Sequence, residues 1–279
     1  MIKTLLIMLF LCVCVLNHST ASQGKLIATA GLLQLEGAGG GGIVPWATLS
    51  GYDTQDEISV NAGLTQVSVR DYRLNTLAVS ASFYDRFEVS ISEQTFALST
   101  LGGDIKQEII GFKYKISGDA VYSAWPQISV GLMHKSLQDK EIAKALGASS
   151  TKGTDIYFAA TKIHLGAVFG YNAVWNITAR ATKANELGLL GFGSSNNDSY
   201  KIVGEASFGL LFSRHLALGI EYRQKPDNLG LKEDDWADIF ITYIPSKSVN
   251  FTLAWADLGT IAGASKQQGI YFSIAGQLF

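Results

Sequence analysis

The sequence predicts an all-β fold: a transmembrane antiparallel β-barrel of even strand number, 12–14 with 14 favoured. Short periplasmic turns and long extracellular loops should join the strands. Three observations point there. The chain of 279 residues is 47% hydrophobic and only 16% charged, against roughly 25% charged in an ordinary soluble domain. Past the N-terminus, however, it has no run of about 20 apolar residues, the length a membrane helix requires. Its apolar residues instead recur at period two, in segments of about 9 to 12 residues, the length of a tilted membrane strand.

The N-terminus reads as a processing segment. Lys3 supplies the positive start, residues 5–16 the apolar stretch, and Ser19-Thr20-Ala21 a small-x-small cleavage site. Residues 1–21 are therefore expected to be a signal peptide that is removed. Both cysteines, Cys12 and Cys14, go with it. A mature chain without cysteine has no disulfide, thiolate metal site or cysteine nucleophile. Removing Lys3 leaves a slightly acidic balance, which offers nothing to nucleic acid.

Twelve alternating segments follow: 57–67, 72–83, 87–97, 105–117, 126–135, 153–163, 168–182, 200–212, 216–224, 236–244, 248–256 and 269–279. Parity assigns their faces. In 168–182, Phe169, Tyr171, Trp175 and Ile177 oppose Asn172, Asn176, Thr178 and Arg180. In 216–224, Leu216, Leu218, Ile220 and Tyr222 oppose Gly219, Glu221 and Arg223. A sandwich could use the same pattern, so the connections must discriminate. Tight links near 84–86, 165–166, 213–215 and 245–247 alternate with long ones at 137–152, 183–199, 225–235 and 257–268. Residues 118–125 are one longer link on the tight side. A barrel with a turn end and a loop end explains this asymmetry; a sandwich does not need it.

The segment before 57 sets the strand count. It contains Glu36 followed by Gly37-Ala38-Gly39-Gly40-Gly41-Gly42 and then Ile43-Val44-Pro45-Trp46. A strand at 43–52, forming a hairpin with 57–67, needs a second at 25–35 to keep the number even, which gives 14. Alternatively, the segment folds into the lumen as a plug and the number is 12. The expected organisation is a Gly-rich segment at 22–42, either first strand or plug, followed by a barrel at 43–279.

The last strand, 269–279, ends on Phe279. It resembles the C-terminal signal of Gram-negative outer-membrane barrels, which implies recognition by the barrel-assembly machinery. Outer-membrane lipids and lipopolysaccharide are the other expected partners, with an unidentified solute.

Candidate functional residues are those whose polar faces would line the lumen: Glu88, Lys113, Lys115, Lys135, Arg180, Glu205, Glu221 and Arg223. Their signs are mixed, and strong ion selectivity needs a ring of one sign. In the connection 184–198, Leu187, Leu189, Leu190 and Phe192 form an apolar patch. The patch could fold into the mouth as a constriction, or pack on a short helix carrying Ile142, Ala145 and Leu146. Enzymatic signals are thin. The mature histidines are His134, His164 and His215, with no nucleophile elbow, phosphate loop or metal-ligand spacing. No enzyme activity, metal or cofactor is expected. A passive porin-like channel or small-solute transporter is the first expectation. A non-conducting receptor or assembly protein is the second, and an outer-membrane hydrolase the third.

The segments IATAGLLQLEGAGGGGIVPWATLSGY (27–52), GTDIYFAATKI (153–163), ATKANELGLLGFG (181–193) and EYRQKPDNLGLKEDDW (221–236) resemble domain of unknown function 3034. That is an uncharacterised family of Gram-negative proteins. The resemblance spans essentially the whole mature chain. It implies an outer-membrane β-barrel and carries over no activity and no functional residue.

Overall fold

The computed structural model describes residues 25–100 and 102–278. The expected signal peptide and Phe279 lie outside them. Two short strands, β1 (Leu32–Leu33) and β2 (Gly39–Gly40), pair with each other and with no barrel strand. The barrel follows as β3 (Ile58–Val69), β4 (Tyr72–Phe83), β5 (Phe87–Leu98), β6 (Asp104–Ser117), β7 (Gln127–Leu137) and β8 (Lys152–Val168). It continues as β9 (Tyr171–Thr182), β10 (Lys201–Ser213), β11 (Leu216–Arg223), β12 (Trp236–Ser246), β13 (Val249–Asp257) and β14 (Gln268–Gln277). Every strand pairs antiparallel with its sequence neighbour, and β14 closes the ring on β3, from Gly269↔Val69 to Gln277↔Asn61. The barrel therefore has 12 strands, and the favoured count of 14 is corrected. Closure satisfies every strand edge, the condition for backbone to lie in hydrocarbon.

Parity sorts the side chains as lipid and lumen require. One register row on the outer surface reads Phe208, Ile220, Ile239, Trp255 and Ile270 across β10 to β14. All five are 44–55% exposed, an unusual state for large apolar groups unless lipid covers them. One register row inside reads Thr242, Thr252, Ser273, Thr65, Thr76, Gln94 and Gln107, running from β12 through the closure to β6. These side chains are buried and largely bond one another: Thr65 Oγ1 donates to Ser273 Oγ at 2.9 Å and Gln107 Nε2 to Gln94 Oε1 at 3.0 Å.

The two ends differ as expected. Residues 84–86, 169–170, 214–215 and 247–248 make tight turns at one end, with 118–126 as the longer link. The other end carries 138–151, with the helix α1 (Glu141–Ala145), and 183–200, 224–235 and 258–267. Two links there are short, at 70–71 and 99–103.

Residues 25–57 form a hairpin-shaped plug inside the barrel. It enters at the turn end, where Lys25 Nζ lies 2.6 Å from Asp85 Oδ1. It rises to Glu36 and returns to the turn end, where Asp53 accepts from Ser82 Oγ (2.5 Å) and Asp85 N (2.7 Å). All of residues 31–53 except Leu32 and Trp46 are buried. The strand expected at 43–52 does not form, because β14 already occupies the edge of β3 that it would need. Its backbone donors go to wall side chains instead: Ala47 N to Thr161 Oγ1 (2.8 Å) and Ser50 N to Glu88 Oε2 (2.7 Å). The barrel accordingly begins at Ile58.

Candidate functional site: a plugged lumen under a folded lid

The plug turns at Glu36, and the wall is built to receive it. β7 presents Lys135, β8 Asp155, β9 Arg180, β10 Glu205 and β11 Arg223, all inward by parity and all buried. Lys135 Nζ contacts Glu36 and lies 2.7 Å from Asp155 Oδ2. Arg180 reaches Glu36 at 3.2 Å, Asp155 at 3.2 Å and Glu205 at 2.5 Å. Arg223 Nη1 donates to Glu36 Oε2 at 2.8 Å and to the Ile43 carbonyl at 2.9 Å. Three carboxylates thus meet three cations. Buried charge is tolerated when it is paired and hydrogen-bonded, and the plug supplies one of the six groups.

Two further wall carboxylates hold plug backbone. Glu88 accepts from Gly39 N (2.8 Å) and Ser50 N (2.7 Å). Its cross-strand neighbour Lys113 donates to the carbonyls of Gly39 (2.6 Å) and Thr48 (2.9 Å). Glu221 accepts from Gly42 N (2.6 Å), Ile43 N (2.8 Å) and Ser207 Oγ (2.6 Å). These contacts explain the glycine run. A methyl group on Gly41 would stand 2.0 Å from Glu221 Oε1, and one on Gly40 2.3 Å from the Val44 carbonyl oxygen. Backbone can approach the wall this closely only without side chains. Lys115 serves the turn end, 2.5 Å from Asp85 Oδ2.

The eight residues expected to line a pore therefore all face inward, but they meet plug, turn or one another rather than an open passage. A small unfilled space, about 20 Å³, lies beneath the mouth, room for about one water. At the turn end a cavity of about 220 Å³ is bounded by Lys25, Thr48, Leu49, Asp85 and Gln127.

The mouth is covered by residues 184–193. Leu187, Leu189, Leu190 and Phe192 are all 4% exposed or less. The first three pack on Leu35 and Ile43 of the plug and on Leu74, Phe96, Trp236 and Tyr271 of the wall, making a dry cluster at the loop end. Phe192 instead covers Gly153, where a Cβ would lie 2.2 Å from its ring. The lid also rests on the helix region, but through Ala143 and Ala148; Ile142, Ala145 and Leu146 are exposed. Lys135 Nζ (2.9 Å) and Gln107 Nε2 (3.3 Å) donate to the Leu187 carbonyl. In the same lid, Glu186 is buried 2.8 Å from Lys225, which also holds Glu233 at 3.1 Å. Burial and the neighbouring Glu233, opposed by Lys225, push the Glu186 carboxyl up to about 8.

Sequence reasoning passed over Glu36 and Asp155 as site residues. Asp155 was legible by parity, since it shares the inward face of β8 with Tyr157, Ala159 and Thr161. Glu36 carried only one signal, a lone acid at the head of a glycine run. The histidines lie outside the plug contacts. His134 pairs with Thr154, His164 with Trp175, and His215 with the Ile244 carbonyl.

Among solved structures, the chain is similar to the NanC porin at 10% identity and TM-score 0.46, covering 78% of this chain and 98% of that one. The KdgM porin matches at 12% identity and TM-score 0.46, over 78% and 98%. An outer-membrane channel from Pseudomonas putida F1 matches at 10% identity and TM-score 0.43, over 79% and 94%. No curated protein matches the chain significantly. The family model described as "Protein of unknown function (DUF3034)" matches residues 29–275, and the chain belongs to that family.

Proposed function

We propose that the protein lies in the outer membrane of a Gram-negative bacterium with its tight turns toward the periplasm. There it acts as a plug-controlled, passive conduit for a small solute. It is closed in the conformation described and conducts when residues 25–57 swing out. One observation carries the reading: the plug enters and leaves at the same end, so it can withdraw as a hairpin without unthreading. The chemistry of the wall supports it. Most contacts between wall and plug below Glu36 are hydrogen bonds to Ser, Thr, Gln, Glu and Lys, which water can replace. The net loss is then about 0.5–1.5 kcal/mol per bond. Diffusion past wall charges of both signs needs no cofactor and no energy input. In this reading lipid and lipopolysaccharide surround the apolar band, and the assembly machinery engages the last strand, β14.

A cross-link tests it. Ser50 Oγ on the plug and Ser80 Oγ on β4 are 2.6 Å apart, so S50C/S80C in the chain lacking residues 1–21 should form a disulfide. In planar bilayers the reduced form should give channel events, oxidation should abolish them, and dithiothreitol should restore them. Silence from the reduced form, and from a chain also lacking residues 25–56, would defeat the conduit. The second reading, a non-conducting receptor or assembly protein, would then hold. The neutral six-group cluster around Glu36 favours that reading, since it locks the plug tip rather than easing it out.

A further inference from the structure

Under the lid the inner wall changes character. The Thr–Ser–Gln row gives way to Leu74, Phe96, Trp236 and Tyr271, facing Leu35 and Ile43 of the plug. Lipid does not demand this, because these side chains point inward. Burial alone does not account for it either. The Trp236 indole N–H is buried in a residue only 2% exposed, and it has no hydrogen-bond partner. The Glu186 Oε1 atom, on the lid that bounds the same space, has none. A core that served only packing would give an indole N–H an acceptor or put phenylalanine there.

The lid itself is held in an unfavourable backbone. Glu186 (φ 44°), Leu187 (φ 61°) and Gly188 (φ 100°) are left-handed in succession, the first two without the freedom of glycine. Its Leu189 side chain caps the unfilled space, which now has room for about one water. A lid that swung aside would uncover an apolar chamber with a single unmet donor on its wall.

We propose that this chamber is a binding site for a small uncharged molecule with an apolar body and one hydrogen-bond acceptor, such as a carbonyl. Leu189 occupies the place of the apolar body in the closed form, and Trp236 Nε1 donates to the acceptor. A charged solute is disfavoured: Lys225, the cation against the Trp236 ring, already serves Glu186, Glu233 and the Thr260 carbonyl. The site lies on the lid side of the plug, with Leu35 and Ile43 in its wall, so it needs the plug docked and does not need the plug to be released.

The probes are acetophenone, ethylbenzene as its acceptor-free counterpart, and benzoate, titrated into the detergent-solubilised barrel. The readout is the indole ¹⁵N–¹H resonance of Trp236, assigned by its loss in W236F. Acetophenone should shift that signal saturably, ethylbenzene should bind at least fivefold more weakly, and benzoate should not bind. L189A should raise acetophenone affinity severalfold by vacating the apolar place. W236F should abolish the preference for acetophenone over ethylbenzene, as measured by calorimetry against a detergent blank. The oxidised S50C/S80C protein should bind as well as the reduced form, which separates this site from the conduit hypothesis. Equal, non-saturating uptake of acetophenone and ethylbenzene would mean partition into detergent and would overturn the proposal. So would an unshifted Trp236 signal in L189A.

Discussion

Glu36→Gln should release the plug, and the structure sets how far. The Glu36 side chain is fully buried against Lys135, Arg180 and Arg223. Two of these cations keep close acids without it: Lys135 retains Asp155 at 2.7 Å, and Arg180 retains Glu205 at 2.5 Å. Arg223 keeps only Glu205 at 3.7 Å and a carbonyl, so it bears most of the loss. Removing one partner of a buried pair costs about 3–5 kcal/mol. With one cation rather than three left short, the lower end, about 3 kcal/mol, applies. At 1.4 kcal/mol per decade, the docking equilibrium shifts roughly 100-fold toward release. A lone cysteine at position 50 reads this directly in the chain starting at Ser22, because no other cysteine remains. Ser50 is 5% exposed while the plug is docked, so maleimide should reach it only on opening. The modification rate should rise about 100-fold with Glu36→Gln, while the unheated barrel keeps its electrophoretic mobility. An unchanged rate would refute the claim that this carboxylate anchors the plug.

Gly41→Ala should raise the same labelling rate, since its methyl would overlap Glu221, whereas Gly204→Ala, whose nearest contact is 3.9 Å, should not; equal rates would remove the steric account of the glycine run. Glu186 ties the lid to pH. Its folded pKa, about 8, lies above the unfolded value, so its contribution is complete below about 4.5 and is lost as pH rises through 8. Proteolysis of residues 184–193 should therefore accelerate between about pH 5 and 8 and level off above that, with Lys225, Glu233 and Tyr72 the other ionisable side chains nearby. Glu186→Gln should flatten that profile; a profile that persists would assign it to another group. Ile239→Arg, on the outward face of β12, should destabilise the barrel in bilayers by roughly 2–4 kcal/mol while a soluble-core explanation would predict unfolding in detergent as well.

The barrel was legible because period-two patterning and connection length are local properties. Ile220 and Glu221, adjacent in sequence, go to opposite sides of β11 by parity alone, and the tight turns at 84–86 and 214–215 announce themselves by length. The residues around Glu36 show where that legibility stops. Parity sends Lys135, Arg180 and Arg223 inward but is silent on what they meet, and water or a plug would suit them equally. The lid was visible only as an oily patch; its partners, Leu35 and Trp236, are far away in sequence.

The sequence by itself determined that the chain forms barrel strands, which side chains face outward, and which end carries the loops, because a strand's two faces follow from its own alternation. The tertiary structure alone decided between 12 strands and 14 and between an open and a filled lumen. Those depend on which strand takes the free edge of β3, and β14 takes it. Once the ring is closed, residues 25–57 have no ladder left to join, and their backbone groups must find the wall's side chains instead.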